Sequence, residues 1–138
     1  MAVATGMIKG ARILILEDDP LLAMDMEDFM LSQEVTVIGP VSSVDQALQA
    51  VDRGIDGAVL DLNLRGTYSY PVIERLKLLG IPFVVCSGYA ELPETRERLD
   101  GVALLPKPCD FNKLKVLLAE EFVKSASLTV GSPEEKTR

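Results

Sequence analysis

The chain of 138 residues contains no histidine and no tryptophan, and only two cysteines, Cys86 and Cys109. Without histidine it has no Ser-His-Asp triad, no imidazole-based zinc site and no phosphohistidine of its own. Two cysteines are too few for a disulfide framework at this length and read as reduced thiols of a cytosolic protein. Long hydrophobic runs are missing as well. The most apolar stretches, 13–16, 81–86 and 102–106, fall far short of the roughly 20 residues a membrane-spanning helix needs. The first residues, MAVATGMIKGA, lack the basic start and apolar core of a secretory signal. Positive charge is scarce too: 14 Lys and Arg stand against 21 Asp and Glu, a net charge of −7. That balance disfavours sequence-independent binding to phosphate backbones, so neither nucleic acid nor a membrane is an expected partner.

What is present fits one packed domain. With 48% hydrophobic and 25% charged residues, a single core is expected rather than disorder. Short apolar runs alternate with longer amphipathic stretches. RILIL (12–16), VTVIG (35–39), DGAVLDL (56–62), IPFVVCSG (81–88) and GVALL (101–105) read as strands. Between and after them, 21–31, 43–53, 69–80, 93–99 and 111–126 read as helices. Pro20 suits a first turn, Ser42 or Ser43 and Asp110 suit N-caps, and Gly54 and Gly80 suit helix ends. Strict βα alternation predicts a doubly wound five-stranded parallel sheet with helices on both faces. The domain is expected over 10–124, with 1–9 and 125–138 as flexible termini.

In such a sheet, function gathers at the carboxyl ends of the strands. The first strand ends in Glu17-Asp18-Asp19, the third in Asp61, the fourth in Ser87 and the fifth in Lys107-Pro108. Any one of these acids could simply cap the next helix, and Asp18 or Asp19 could do so here. Three carboxylates at neighbouring strand ends, however, would raise one another's pKa unless a cation compensates. Hard oxygen donors without His or Cys select Mg²⁺ or a similar ion. Asp61 beside such a metal could act as a nucleophile toward phosphorus and form an acyl phosphate. Lys107 would offset charge on the phosphoryl oxygens.

This ordered set resembles the response-regulator receiver domains of bacterial two-component signalling. The resemblance implies the flavodoxin-like strand order 2-1-3-4-5. It also implies roles: Glu17 and Asp18 as the metal-binding pair, Asp61 as phosphoacceptor and further ligand, and Asn63 as a ligand through its carbonyl. Ser87 becomes the switch hydroxyl and Lys107 the phosphate-contacting lysine, whose following proline is commonly cis. The implied cofactor is Mg²⁺. The implied partners are a sensor histidine kinase or histidine phosphotransfer protein and a downstream protein, with a homodimer left open. The module would be cytoplasmic and of the stand-alone type. It would not be a conventional enzyme, limited to self-phosphorylation from a donor and autodephosphorylation.

Some positions depart from the family pattern. Arg65-Gly66-Thr67 replaces the usual Pro-x-x-x-Gly type of loop, and the 61–87 span is short, so this loop and the fourth helix are expected to be trimmed or rebuilt. Leu104 stands where an aromatic is usual, which makes Tyr89 the candidate to report the switch. The competing enzyme reading is a small Mg²⁺-dependent aspartyl-phosphate phosphatase of the haloacid dehalogenase type. That reading needs a second Asp two residues after the nucleophile, where this chain has Asn63. A third reading, a degenerate receiver acting only as a binding platform, conflicts with the intact acidic set. Cys86 should face away from Ser87 and pack as a small hydrophobe, and neither cysteine lies in a CxxC pair.

Overall fold

The computed structural model describes residues 5–88 and 97–131. After a short 3-10 turn (Thr5–Ile8), the described elements are β1 (Arg12–Leu16), α1 (Pro20–Ser32), β2 (Thr36–Val41), α2 (Val44–Arg53) and β3 (Gly57–Asp61). They continue with β4 (Asn63–Leu64), β5 (Thr67–Tyr68), α3 (Tyr70–Leu79), β6 (Phe83–Ser87), β7 (Ala103–Pro106) and α4 (Phe111–Gly131). The main sheet is parallel, in the order β2-β1-β3-β6-β7. With the two-residue strands β4 and β5 set aside, this is the expected order 2-1-3-4-5. The fold is a doubly wound, flavodoxin-like α/β sheet.

Burial explains why the central strands carry no polar alternation. Leu14 and Leu16, Ala58 and Leu60, and Phe83 and Val85 point into one core with α2 and α3. Ile13 and Ile15, Val59, and Val84 and Cys86 point into the other, against Met26 and Met30 of α1 and Leu114 and Leu118 of α4. A strand covered on both faces has no solvent side for polar residues, hence the continuous apolar runs. β2 is an edge strand and tolerates Pro40, which has no N–H for a ladder.

Caps set the helix starts. Asp19 Oδ1 accepts from Leu21 N at 3.0 Å, with Pro20 at the first helical position. Of the two serines considered for α2, Ser43 is the cap: its Oγ accepts from Gln46 N at 3.2 Å, while Gln46 Oε1 accepts from Ser42 N. Asp110 Oδ1 accepts from Asn112 N and Lys113 N at the start of α4.

The described residues include stretches on either side of 10–124. Ile8 is buried in the α1/α4 core, and α4 runs on to Gly131. The loop after Asp61 is rebuilt as an antiparallel ladder, with Asn63 opposite Tyr68 and Leu64 opposite Thr67. Its two turn residues, Arg65 and Gly66, both have positive φ (54° and 97°), as tight two-residue hairpins require. The helix expected over 93–99 and the reporter residue Tyr89 fall largely outside the described residues; Glu97 and Arg98 are helical. Among the described residues no helix is long and apolar enough to cross a membrane.

Candidate functional site

Four strand ends converge. Leu16 pairs with Leu60, Asp61 with Cys86, and Ser87 with Pro106, so the residues that follow or end these strands share one edge of the sheet. Glu17 is held at the end of β1 because its N–H donates to Val41 O at 2.9 Å. The Lys107 N–H donates to Ser87 O at 2.9 Å, which ties the end of β7 to that of β6; the Lys107-Pro108 peptide is cis.

Carboxylate oxygens of Glu17, Asp18 and Asp61 lie within 4.8 Å of one another. Glu17 is 3% exposed, Asp61 5% and Ser87 6%, so this is a sunken acidic pocket rather than a solvated rim. Two cations answer the charge. Lys107 Nζ lies 3.1 Å from Asp61 Oδ1 and 3.6 Å from Glu17 Oε1. Arg65 Nε lies 3.1 Å from Asp18 Oδ2, reaching in from the hairpin turn. Asp61 Oδ1 also accepts from Asn63 N at 3.3 Å, and Glu17 Oε2 from Asp19 N at 3.1 Å.

Burial dominates the electrostatics. It pushes the Glu17 carboxyl up to about 7, with the Asp61 carboxylate adding to the rise and the Asp19 N–H and Lys107 opposing it. Burial likewise lifts the Asp61 carboxyl, although Lys107 and the Asn63 N–H pull the other way. For Lys107, burial disfavours the ammonium, but the hydrogen bond to Asp61 and the charges of Asp61 and Glu17 outweigh it, and its pKa is raised.

The arrangement fits a hard divalent cation. Glu17 Oε1 is fully buried and accepts no hydrogen bond, with only the Lys107 ammonium at 3.6 Å. The exposed Arg65 guanidinium sits where positive charge is wanted on Asp18. The donors are all oxygens, the set that suits Mg²⁺. The Asn63 side chain is not aimed at the cluster; its Oδ1 accepts from Gly66 N at 2.7 Å within the hairpin.

Sequence reasoning missed three features. The first is the Arg65–Asp18 pair. The second is Ser69, fully buried, whose Oγ donates to Asp61 O at 2.8 Å and so braces the backbone of the strand end. Ser69→Ala should lower the unfolding free energy by about 1 kcal/mol, measured by denaturant melting; an unchanged midpoint would show the brace to be idle. The third is the cysteine pair: Cys86 packs in the α1/α4 core as expected, but its Sγ lies 2.8 Å from Cys109 Sγ. The hydrogen bond between them raises Cys86 and lowers Cys109.

The geometry can be set against known proteins. No family model matches the chain. It is 30% identical over 116 residues to the transcriptional regulatory protein TcrA of Mycobacterium tuberculosis, covering 80% of this chain and 46% of that one. The chain thus spans about half the length of the curated relative it matches. It is similar to SdrG from Sphingomonas melonis Fr1, with 39% identity over 83% of this chain and 97% of that one, at a TM-score of 0.67. A response regulator receiver protein from Sinorhizobium medicae WSM419 superposes with a TM-score of 0.73 over 84% of this chain and 97% of that one; at 23% identity this likeness carries the fold. The chain belongs to the response-regulator receiver family of two-component signalling. The haloacid dehalogenase reading finds no support among these relatives.

Proposed function

We propose that this chain is a cytoplasmic phosphoryl-accepting signalling module whose acceptor is Asp61. The carrying observation is the Lys107 ammonium 3.1 Å from Asp61 Oδ1 inside a buried cluster of three carboxylates. Oδ1 is engaged by Lys107 and the Asn63 N–H. Oδ2 is therefore the oxygen left to attack phosphorus. The donor that the family implies is a phosphohistidine of a sensor kinase or a histidine phosphotransfer protein. As the new O–P bond forms, the donor's N–P bond breaks and its imidazole leaves. Lys107 meets the charge spread over the phosphoryl oxygens, and the Ser87 hydroxyl can donate to one of them.

Glu17, Asp18 and Asp61 would hold Mg²⁺, with the Asn63 carbonyl as a further donor. When bound, the ion would neutralise carboxylate and phosphoryl charge together. Signal output then runs through contacts with a downstream protein. Incubation with acetyl phosphate and Mg²⁺ tests the reading: a single phosphoryl group per chain, lost only slowly once the donor is removed, supports it. Steady turnover of a generic phosphate ester would point to a phosphatase instead.

Arg65 competes for Asp18. Exposed ion pairs contribute up to about 1 kcal/mol, so Arg65→Ala should tighten Mg²⁺ binding by roughly two- to fivefold in calorimetric titration. Weaker binding in that variant would show that Arg65 supports the ion site instead of competing with it.

A further inference from the structure

Behind the carboxylates, on the α1/α4 side of the sheet, lies a second reactive cluster. Cys86 Sγ and Cys109 Sγ are 2.8 Å apart, closer than two sulfurs rest in ordinary contact, although both are free thiols. Both residues lie next to site residues in the chain. Cys86 immediately precedes Ser87, and Cys109 follows Lys107 by two residues. Cys86 is 1% exposed, whereas Cys109 is only half-buried and can be reached from solvent. Neither sulfur has a part in the phosphoryl chemistry proposed above.

We propose that Cys86 and Cys109 form an oxidative modification site, converted by a hydroperoxide to an intramolecular disulfide that brakes phosphorylation of Asp61. The Cys109 thiolate attacks the peroxide oxygen, breaks the O–O bond and becomes a sulfenic acid, releasing water or an alcohol. The buried Cys86 sulfur then attacks the Cys109 sulfur, the S–O bond breaks, and a second water leaves. Two thiols lose two electrons and two protons, and the peroxide is reduced by the same two electrons. Thiol reductants reverse the step by exchange.

The brake rests on the phosphoacceptor reading. A disulfide draws the sulfurs from 2.8 Å to about 2.05 Å and ties the β6 end that carries Ser87 to the segment that follows Lys107. Misplacing catalytic groups by about 1 Å can slow a reaction up to about a hundredfold, and side-chain rotation absorbs part of this shift. A slowing of roughly tenfold is therefore expected.

The test treats the reduced full chain with hydrogen peroxide, alkylates it under denaturing conditions and maps it by non-reducing peptide mass spectrometry. The expected result is a Cys86–Cys109 linked peptide, absent after reductant and absent in Cys109→Ser. Two alkylated thiols after peroxide, or a linkage only between chains, would overturn the site. Acetyl-phosphate labelling is then compared before and after oxidation. The oxidised wild type should label roughly tenfold more slowly and recover with reductant, while Cys109→Ser stays indifferent to peroxide. Equal rates with the linked peptide present would overturn the brake and leave the bond. No labelling even in the reduced protein would defeat the phosphoacceptor reading and the brake together, with the linked peptide still deciding the modification.

Discussion

In EDTA, Asp61→Asn should melt several degrees above the wild type, and it should lose most of the stabilisation that Mg²⁺ gives. Glu17, Asp18 and Asp61 crowd three carboxylates within 4.8 Å, two of them buried, and Lys107 and Arg65 offset that charge only in part. Removing one charge relieves both the repulsion and the desolvation. Mg²⁺ at about ten times its dissociation constant adds roughly 1.4 kcal/mol to the wild type, a rise of a few degrees for a domain of this size. Identical melting curves for the wild type with and without Mg²⁺ would mean that the three acids do not form one ion site.

The burial of Glu17 fixes a pH dependence. Glu17 ionises at about 7 in the fold against an ordinary 4.5, so between these values the folded chain binds more protons than the unfolded one. Stability of the metal-free protein must therefore fall as pH rises from 4.5 to about 7. The loss is absent below that window and complete above it, on the order of 3 kcal/mol. Glu17→Gln should flatten the profile. A metal-free wild type that gains stability across the same window would contradict the burial of Glu17.

Lys107→Ala should slow phosphoryl transfer from acetyl phosphate by about a hundredfold, the usual effect of losing one charge-stabilising donor in a buried site. The ammonium does two things there. It keeps Asp61 and Glu17 more ionised than burial alone would allow, and in the proposed reaction it would face the oxygens on which transition-state charge collects. Lys107→Arg keeps the charge but replaces a compact ammonium with a planar fork, so it should restore only part of the rate. Quench-flow or phosphoprotein gel electrophoresis reads the difference. A Lys107→Ala protein that labels at the parental rate would remove Lys107 from the reaction.

The strands were legible because each central one is buried on both faces, which leaves a bare apolar run ended abruptly by a polar residue. Glu17, Asp61, Ser87 and Lys107 stood out for that reason, and the sheet order brings their strand ends together. The expected caps at Ser43 and Asp110 also formed, since capping is a local matter of a side-chain oxygen and nearby N–H groups. Contacts that depend on tertiary approach were hidden. Nothing in Arg65-Gly66 announces that a hairpin turn will aim a guanidinium at Asp18. Ser69 looked like an ordinary helix start, yet it makes no side-chain cap and gives its hydroxyl to the Asp61 carbonyl instead. Cys86 and Cys109 are 23 residues apart and meet only because β6 and β7 are neighbours. The extension of α4 from 126 to Gly131 was hidden because the residues after 126 carry no hydrophobic periodicity.

Intact mass spectrometry of the wild type and Asp61→Ala, each incubated with acetyl phosphate and Mg²⁺, tests the central claim most directly. The wild type should gain a single phosphoryl group that slowly disappears after the donor is removed, and Asp61→Ala should gain none. An adduct of equal yield on Asp61→Ala would show that Asp61 is not the acceptor and would contradict the account.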